Sequence, residues 1–166
     1  MAESEHDDPV IGDTPLSCLF ETSAERHAGR KAQLYKGGVH DRSLVPAVIP
    51  PAPDGAYASL SYAEMQSIVR ALAAGFRELG VDAGTRVGIF SNTRMEWAQV
   101  DLALLAAGGV VTTVYTDSSP QRVRFLLDDA GVEAVVVEDE VLLDQLLAVE
   151  SELDLSVIVC IDDVDG

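Results

Sequence analysis

The chain has 166 residues, 48% of them hydrophobic and only 5% aromatic, with 11 Lys and Arg against 28 Asp and Glu for a formal charge of −17. That length suits one domain burying roughly two-thirds of its unfolded surface, and no apolar run approaches the roughly eighteen residues a membrane span needs. So acidic a surface repels nucleic acid and anionic lipid, and neither is expected as a partner.

Residues Met1 to Asp13 are charged, contain Pro9 and Gly12, and read as a disordered acidic tail. The tail lacks the basic-then-apolar pattern of a secretion signal, so a cytoplasmic location is expected. Thr14 before Pro15 predicts a helix start, a hydroxyl at the N-cap and proline where no amide donor is needed. Leu16, Leu19, Phe20 and Ser23 continue at helical spacing to about His27. Lys31 to Lys36 alternates and suits an edge strand, with Gly37-Gly38 as a hairpin turn returning through Val39. Pro46, Pro50, Pro51 and Pro53 exclude a regular element between Arg42 and Tyr57. Leu44 to Ile49 is apolar enough to lie against the body, and Ala58 to Ser61 is an extended piece placed to pair near Leu34.

Ser61 to Glu64 is a capping box, in which the serine accepts from the third amide and the glutamate reaches back. The helix it opens carries Met65, Ile68, Val69, Leu72, Phe76 and Leu79 on one stripe and ends at Gly80. Burying such side chains contributes about 1.5–3 kcal/mol each before entropy costs, so Leu72→Asp is expected among the most damaging changes in this half.

The stretch from Gly84 to Pro120 organises the rest. Val87, Ile89 and Phe90 make a buried strand closed by Ser91 and Asn92. Arg94 to Ala107 follows as a helix, with Trp97, Val100, Asp101, Leu104 and Leu105 at helical spacing and Trp97 on the buried stripe. Gly108-Gly109 supplies the left-handed cap, and Val110 to Tyr115 is a second strand, β-branched at all but its last position. Strand, helix and strand over about thirty residues is a βαβ unit with parallel strands. Ser119-Pro120 starts another helix, through Val123, Leu126, Leu127 and Ala130 to Gly131. Ala134 to Val137 is a fully apolar strand, Glu138 to Val149 a helix, and Leu155 to Ile161 a last strand. The alternation predicts an α/β fold: a doubly wound, mainly parallel sheet with flanking helices, plus a small N-terminal hairpin or edge strands.

The acidity has two readings, a patch for a basic partner or metal, and a solvated surface adapted to a salt-rich cytoplasm. The acids are spread over helices and turns while the apolar pattern stays intact, which favours the second. Cys18 and Cys160 are far apart and are expected to be reduced and structural. His6, His27 and His40 lack metal-site spacing. Gly80, Gly84 and Gly88 match no phosphate-loop pattern, and Thr116, Ser118 and Ser119 at a helix start are accounted for by capping. Asp128-Asp129 and Asp162-Asp163 read as helix-end and surface acids. From the residues alone, no catalytic, cofactor-binding or metal-binding residue is assigned.

Ser59-Leu60-Ser61-Tyr62-Ala63-Glu64-Met65 resembles the first core motif of the AMP-forming acyl- and aryl-CoA synthetases. Leu104 to Val111, continuing through Tyr115, is similar to their second core motif. Arg86-Val87-Gly88-Ile89-Phe90-Ser91-Asn92, with Arg94, Glu96 and Trp97, resembles the long-chain fatty-acid branch, though Met95 stands where that branch has proline. Tyr115 to Pro120 is also similar to that branch, with Asp117 in place of a small or hydroxyl residue. The resemblance implies a parent enzyme using ATP, magnesium and coenzyme A to turn a carboxylic acid into an acyl-adenylate and then an acyl-CoA. The family's phosphate loop, ribose-binding aspartate and C-terminal lysine lie downstream of anything similar here, so none of its site residues or cofactors carries over. The chain is therefore expected to be a partial domain, residues 14–166, with a supporting role and no adenylating activity of its own. The remainder of the synthetase as a separate chain, and self-association through unpaired surface, are the partners this implies. A stand-alone module docking on an intact synthetase or sensing a small ligand is the alternative. A receiver-like signalling domain ranks last, lacking that fold's paired acids and late lysine.

Overall fold

A computed structural model describes residues 15–40 and 49–164. The tail, Thr14, most of the Leu44–Ile49 stretch and the last two residues lie outside them. In chain order the elements are α1 (Leu16–Arg26), β1 (Lys31–Lys36), β2 (Tyr57–Ser61), α2 (Tyr62–Glu78), β3 (Arg86–Phe90) and α3 (Met95–Ala107). They continue with β4 (Val110–Val114), α4 (Pro120–Asp129), β5 (Ala134–Val137), α5 (Glu140–Glu150) and β6 (Val157–Cys160).

The main sheet has the order β4-β3-β5-β6, and all three of its pairings are parallel. Its alternating side chains build two cores. Val87, Ile89, Ala134 and Val136 meet α2 and α3 on one face, with Val69, Phe76 and Leu104. Phe90, Val114, Val135 and Val137 meet α4 and α5 on the other, with Val123, Leu127 and Leu146. This is the doubly wound arrangement expected. A parallel strand covered on both faces must be apolar throughout, which is why all four residues of β5 are buried. No helix is long and apolar enough to cross a membrane among the described residues.

β1 and β2 form a separate antiparallel ribbon, with Leu34 opposite Ser59 as the sequence suggests. The Gly37-Gly38 hairpin does not form. The strand partner comes from β2 instead, and the proline-rich connection folds back so that Gly37 bridges Asp54. A Cβ at Gly37 would run into the Ala52 and Pro53 carbonyl oxygens, so the glycine answers a close backbone approach rather than a turn. Ile49 joins Tyr35, Leu60, Ile68 and Met95 in a third core beneath the ribbon, and the Tyr35 hydroxyl donates to the Pro50 carbonyl.

The capping box at Ser61 and Glu64 is present in full, and the Ser61 amide and hydroxyl hold the Glu64 carboxyl below its ordinary value. α1 starts later than expected, with Pro15 at the N-cap and no side-chain cap. α5 likewise starts at Glu140 with Asp139 as its cap, and β4 and β6 are shorter than the apolar runs that contain them. On α2 the inward stripe is Met65, Ile68, Val69, Ala73 and Phe76, and Leu72 is only half-buried. On α3 it is Met95, Gln99, Val100, Ala103, Leu104 and Ala107, so Trp97 lies at the margin of the core rather than within it.

Asp101 of α3 is half-buried, and burial pushes its carboxyl above the ordinary value of 3.8. The folded state then holds this proton more tightly than the unfolded chain. That contribution to stability is present below the unfolded pKa and lost as pH rises through the folded one. Asp101→Asn should therefore raise the melting temperature at neutral pH, with the gap closing towards about pH 4. Melts followed by circular dichroism at both pH values check this, and a gap that does not change with pH would refute it.

Candidate functional site

Because the main sheet is all parallel, the carboxyl ends of its strands share one edge. The chain runs from β3 to β4 on one side and then to β5 and β6 on the other. That reversal falls between β3 and β5, and open α/β sheets bind ligands beyond the strand ends at such a point.

Four segments meet there. Ser91 and Asn92 leave β3, Glu138 follows β5, Asp162 lies just past β6, and Thr116 follows β4. Arg94 is the N-cap of α3, and its extended backbone (φ −142°, ψ 171°) turns the side chain into this edge. The guanidinium is almost fully buried, its side chain 1% exposed. Its Nη1 and Nη2 donate to the two Asp162 carboxylate oxygens at 2.9 and 2.8 Å, and its Nε donates to Glu96 at 2.8 Å. Glu138 stands 3.5 Å from Nη1 and is itself buried, at 5% exposure. Its Oε2 accepts from the Asn92 amide at 2.6 Å, the Asn92 Nδ2 at 3.0 Å and the Ser91 hydroxyl at 3.3 Å. Asn92 Oδ1 in turn accepts from the Thr116 hydroxyl at 2.9 Å. One chain of polar contacts thus ties together the ends of all four strands.

Burial is the largest single influence on Arg94 and opposes its charge. Hydrogen bonds to Asp162 and Glu96, with their Coulombic attraction, outweigh it and hold the guanidinium more firmly charged than free arginine. The bidentate fork to Asp162 fixes orientation as well as charge, which a lysine would not do.

This donor set does not fit a nucleotide triphosphate. Three carboxylates surround one guanidinium whose three nitrogens are already engaged, leaving an excess of negative charge. The neighbouring helix starts are also taken: the Ser119 hydroxyl accepts from the Arg122 amide, Asp139 accepts from the Leu142 amide, and Glu96 occupies the first turn of α3. The chemistry available is electrostatic cross-bracing of strand ends. Ser119 caps α4 as the sequence predicts, whereas Thr116 binds Asn92 and Ser118 is buried.

Asp163 is exposed, but Asp162 is the main anchor of Arg94 rather than a surface acid. Glu138 belongs to the buried edge and not to a helix start. Asp128 and Asp129 are exposed at the end of α4. Cys18 is exposed, and Cys160 is half-buried with its sulfur 3.7 Å from the Glu138 carbonyl. His27 lies beside the Tyr62 ring. Among the described residues, no three or more His, Cys, Asp or Glu are grouped so as to hold a metal ion.

The AMP-binding enzyme family matches residues 20–165. The chain belongs to that family. The long-chain-fatty-acid–CoA ligase FadD15 of Mycobacterium bovis is 48% identical over 84 residues, covering 51% of this chain and 14% of that protein. The ligase ACSBG1 of Bos taurus is 24% identical over 148 residues, 88% of this chain and 18% of that one. Among solved structures, the long-chain-fatty-acid-CoA ligase FadD1 from Archaeoglobus fulgidus has a TM-score of 0.73 at 16% identity, covering 90% of this chain and 28% of that one. The anthranilate CoA ligase AuaEII, in complex with anthranoyl-AMP, has a TM-score of 0.70 at 15% identity, covering 89% and 25%. At those identities the two structures establish the fold of this AMP-binding chain. The matched stretch spans about a seventh of the FadD15 length.

Proposed function

We propose that this chain is the N-terminal structural portion of an AMP-forming fatty-acid–CoA ligase, and that it does not form an acyl-adenylate alone. Residues 14–166 are the first part of the AMP-binding domain, preceded by an acidic tail. The parent enzyme joins a fatty acid to coenzyme A at the expense of ATP, with magnesium, in the cytoplasm. The observation that carries this reading is the family match over nearly the whole chain together with the small share of each relative that it spans. The carboxyl edge supports it, because its charged groups are spent on one another and brace the wall of a larger site.

The test is pyrophosphate release by the purified chain with ATP, magnesium and a long-chain fatty acid, with intact FadD15 as the positive control. Release at the blank level is expected, and turnover above it overturns the reading. We also assign the acidic surface to a salt-rich cytoplasm, where screening relieves self-repulsion. The melting temperature should accordingly fall when molar potassium chloride is replaced by dilute buffer. Coincident circular dichroism melts in the two would count against that assignment.

A further inference from the structure

α1 is the least buried helix of the fold. Ala24 is its only buried residue, where α2 has five, α3 six, α4 two and α5 three. Ala24 contributes a single methyl group to the interior. Phe20 adds a partly buried ring against the core beneath α2 and α3, and Leu16 is 63% exposed. With 11 residues, α1 does not hold its shape alone in water, because isolated helices shorter than about 12–15 residues are marginal. Its first turn gives little help: Pro15 makes no side-chain cap, and no acid faces the helix dipole there. Docking against α2 and α3 is what keeps it helical.

That docking is lightly fastened. The Glu21 carboxylate accepts from Gln66 Nε2 at 2.7 Å, from Arg70 Nε at 3.2 Å and from Arg70 Nη2. The Arg70 side chain is 58% exposed, so water competes for the pair, which counts as a surface bridge. The connection that follows α1 is held in another way. The Ala28 and Arg30 carbonyls accept from the Ala63 and Tyr62 amides at 3.1 and 2.9 Å, tying the connection to the start of α2. His27, the C-cap of α1, stands between the lightly seated helix and that anchored turn.

We infer that α1 is a strap that swings open about His27 while both sheets and α2–α5 stay folded, baring the part of the core that Phe20 covers. Opening it gives up one methyl, one partly buried ring and a hydrated ion pair in return for the conformational freedom of the helix. Lifting any other helix would uncover at least two buried side chains larger than alanine.

Amide exchange on the full chain in low, sub-denaturing urea tests it. Amides in the last two turns of α1 should exchange about 100-fold or more faster than those of β3 and β5, yet slower than an unstructured peptide. Their rates should rise only shallowly with urea, because opening α1 exposes little surface, while those of β3 and β5 rise steeply. Trypsin reads the same opening. No Lys or Arg precedes Arg26, so one cut there frees residues 1–26 in a single piece. That release should outpace the loss of circular dichroism from the remainder. Glu21→Gln should speed α1 exchange and the release together, by about 1.5- to 5-fold. α1 amides with the protection and urea slope of β3 and β5 would overturn the inference, as would α1 amides that exchange like a free peptide. So would a Glu21→Gln variant unchanged in both rates, or residues 1–26 released only as the remainder unfolds.

Discussion

Replacing Arg94 with alanine should lower the melting temperature by about 6–20 °C, because removing one partner of a buried ion pair costs about 3–5 kcal/mol and a chain of this size loses about 2–4 °C per kcal/mol. The variant leaves Glu96, Glu138 and Asp162 facing one another without their cation, and Glu138 is almost out of reach of water. Acid protonates the stranded carboxylates, so the deficit should be widest at neutral pH and narrow as the pH falls. Arg94→Met separates charge from packing: it restores apolar bulk and should recover little at pH 7. Arg94→Lys keeps the charge but loses the two-pronged contact with Asp162, and should fall between wild type and alanine. Urea midpoints of the three variants at pH 7 and pH 5 decide the matter. An alanine variant within about 1 kcal/mol of wild type would mean that the cluster is as hydrated as a surface pair.

What the sequence could disclose about this edge is bounded by the separation of its parts. Asn92, Arg94 and Glu96 stand within five positions, but their partners are Glu138 and Asp162, more than forty residues away. A lone carboxylate after an apolar strand looks like any solvated acid until the topology puts four strand ends together. The apolar grammar was legible because it is local. Four consecutive hydrophobic residues specify β5 to its exact bounds, and the serine-glutamate spacing at Ser61 specifies the start of α2. Glycine chemistry was legible only in part. Gly108 takes the left-handed cap of α3 (φ 98°), whereas Gly37 resembles a hairpin turn in sequence and is fixed by two carbonyls of a distant loop. The α3 stripe was misplaced for a different reason. That helix is apolar on almost every face, so periodicity cannot choose among them, and Gln99 sits inside at 2% exposure while Trp97 stays at the margin. Gln99 is tolerated there because its Nε2 donates to the Gln33 Oε1, and Gln33 donates onward to the Met95 carbonyl, fastening β1 to the start of α3.

On α2, the sensitive position is Val69 rather than Leu72. Val69 is fully buried between α2 and the main sheet, whereas Leu72 lies between two cores and keeps contact with solvent. Val69→Asp gives up about 1.5–3 kcal/mol of apolar burial and adds about 1–3 kcal/mol for a carboxyl without a partner, even when protonated. Its expected loss is therefore about 2.5–6 kcal/mol, comparable with that of Arg94→Ala. Leu72→Asp should cost less than half as much, because its carboxylate can swing into water. The two also separate by pH. Val69 is fully buried, so desolvation gives an aspartate there a folded-state pKa above its unfolded value. Its deficit grows as pH rises from about 4 through that raised value, while the Leu72→Asp deficit stays nearly flat. Urea unfolding of both variants at pH 5 and pH 7.5 measures the difference. Equal losses at the two positions would mean that the face of α2 packed on the main sheet is not the one that holds Val69.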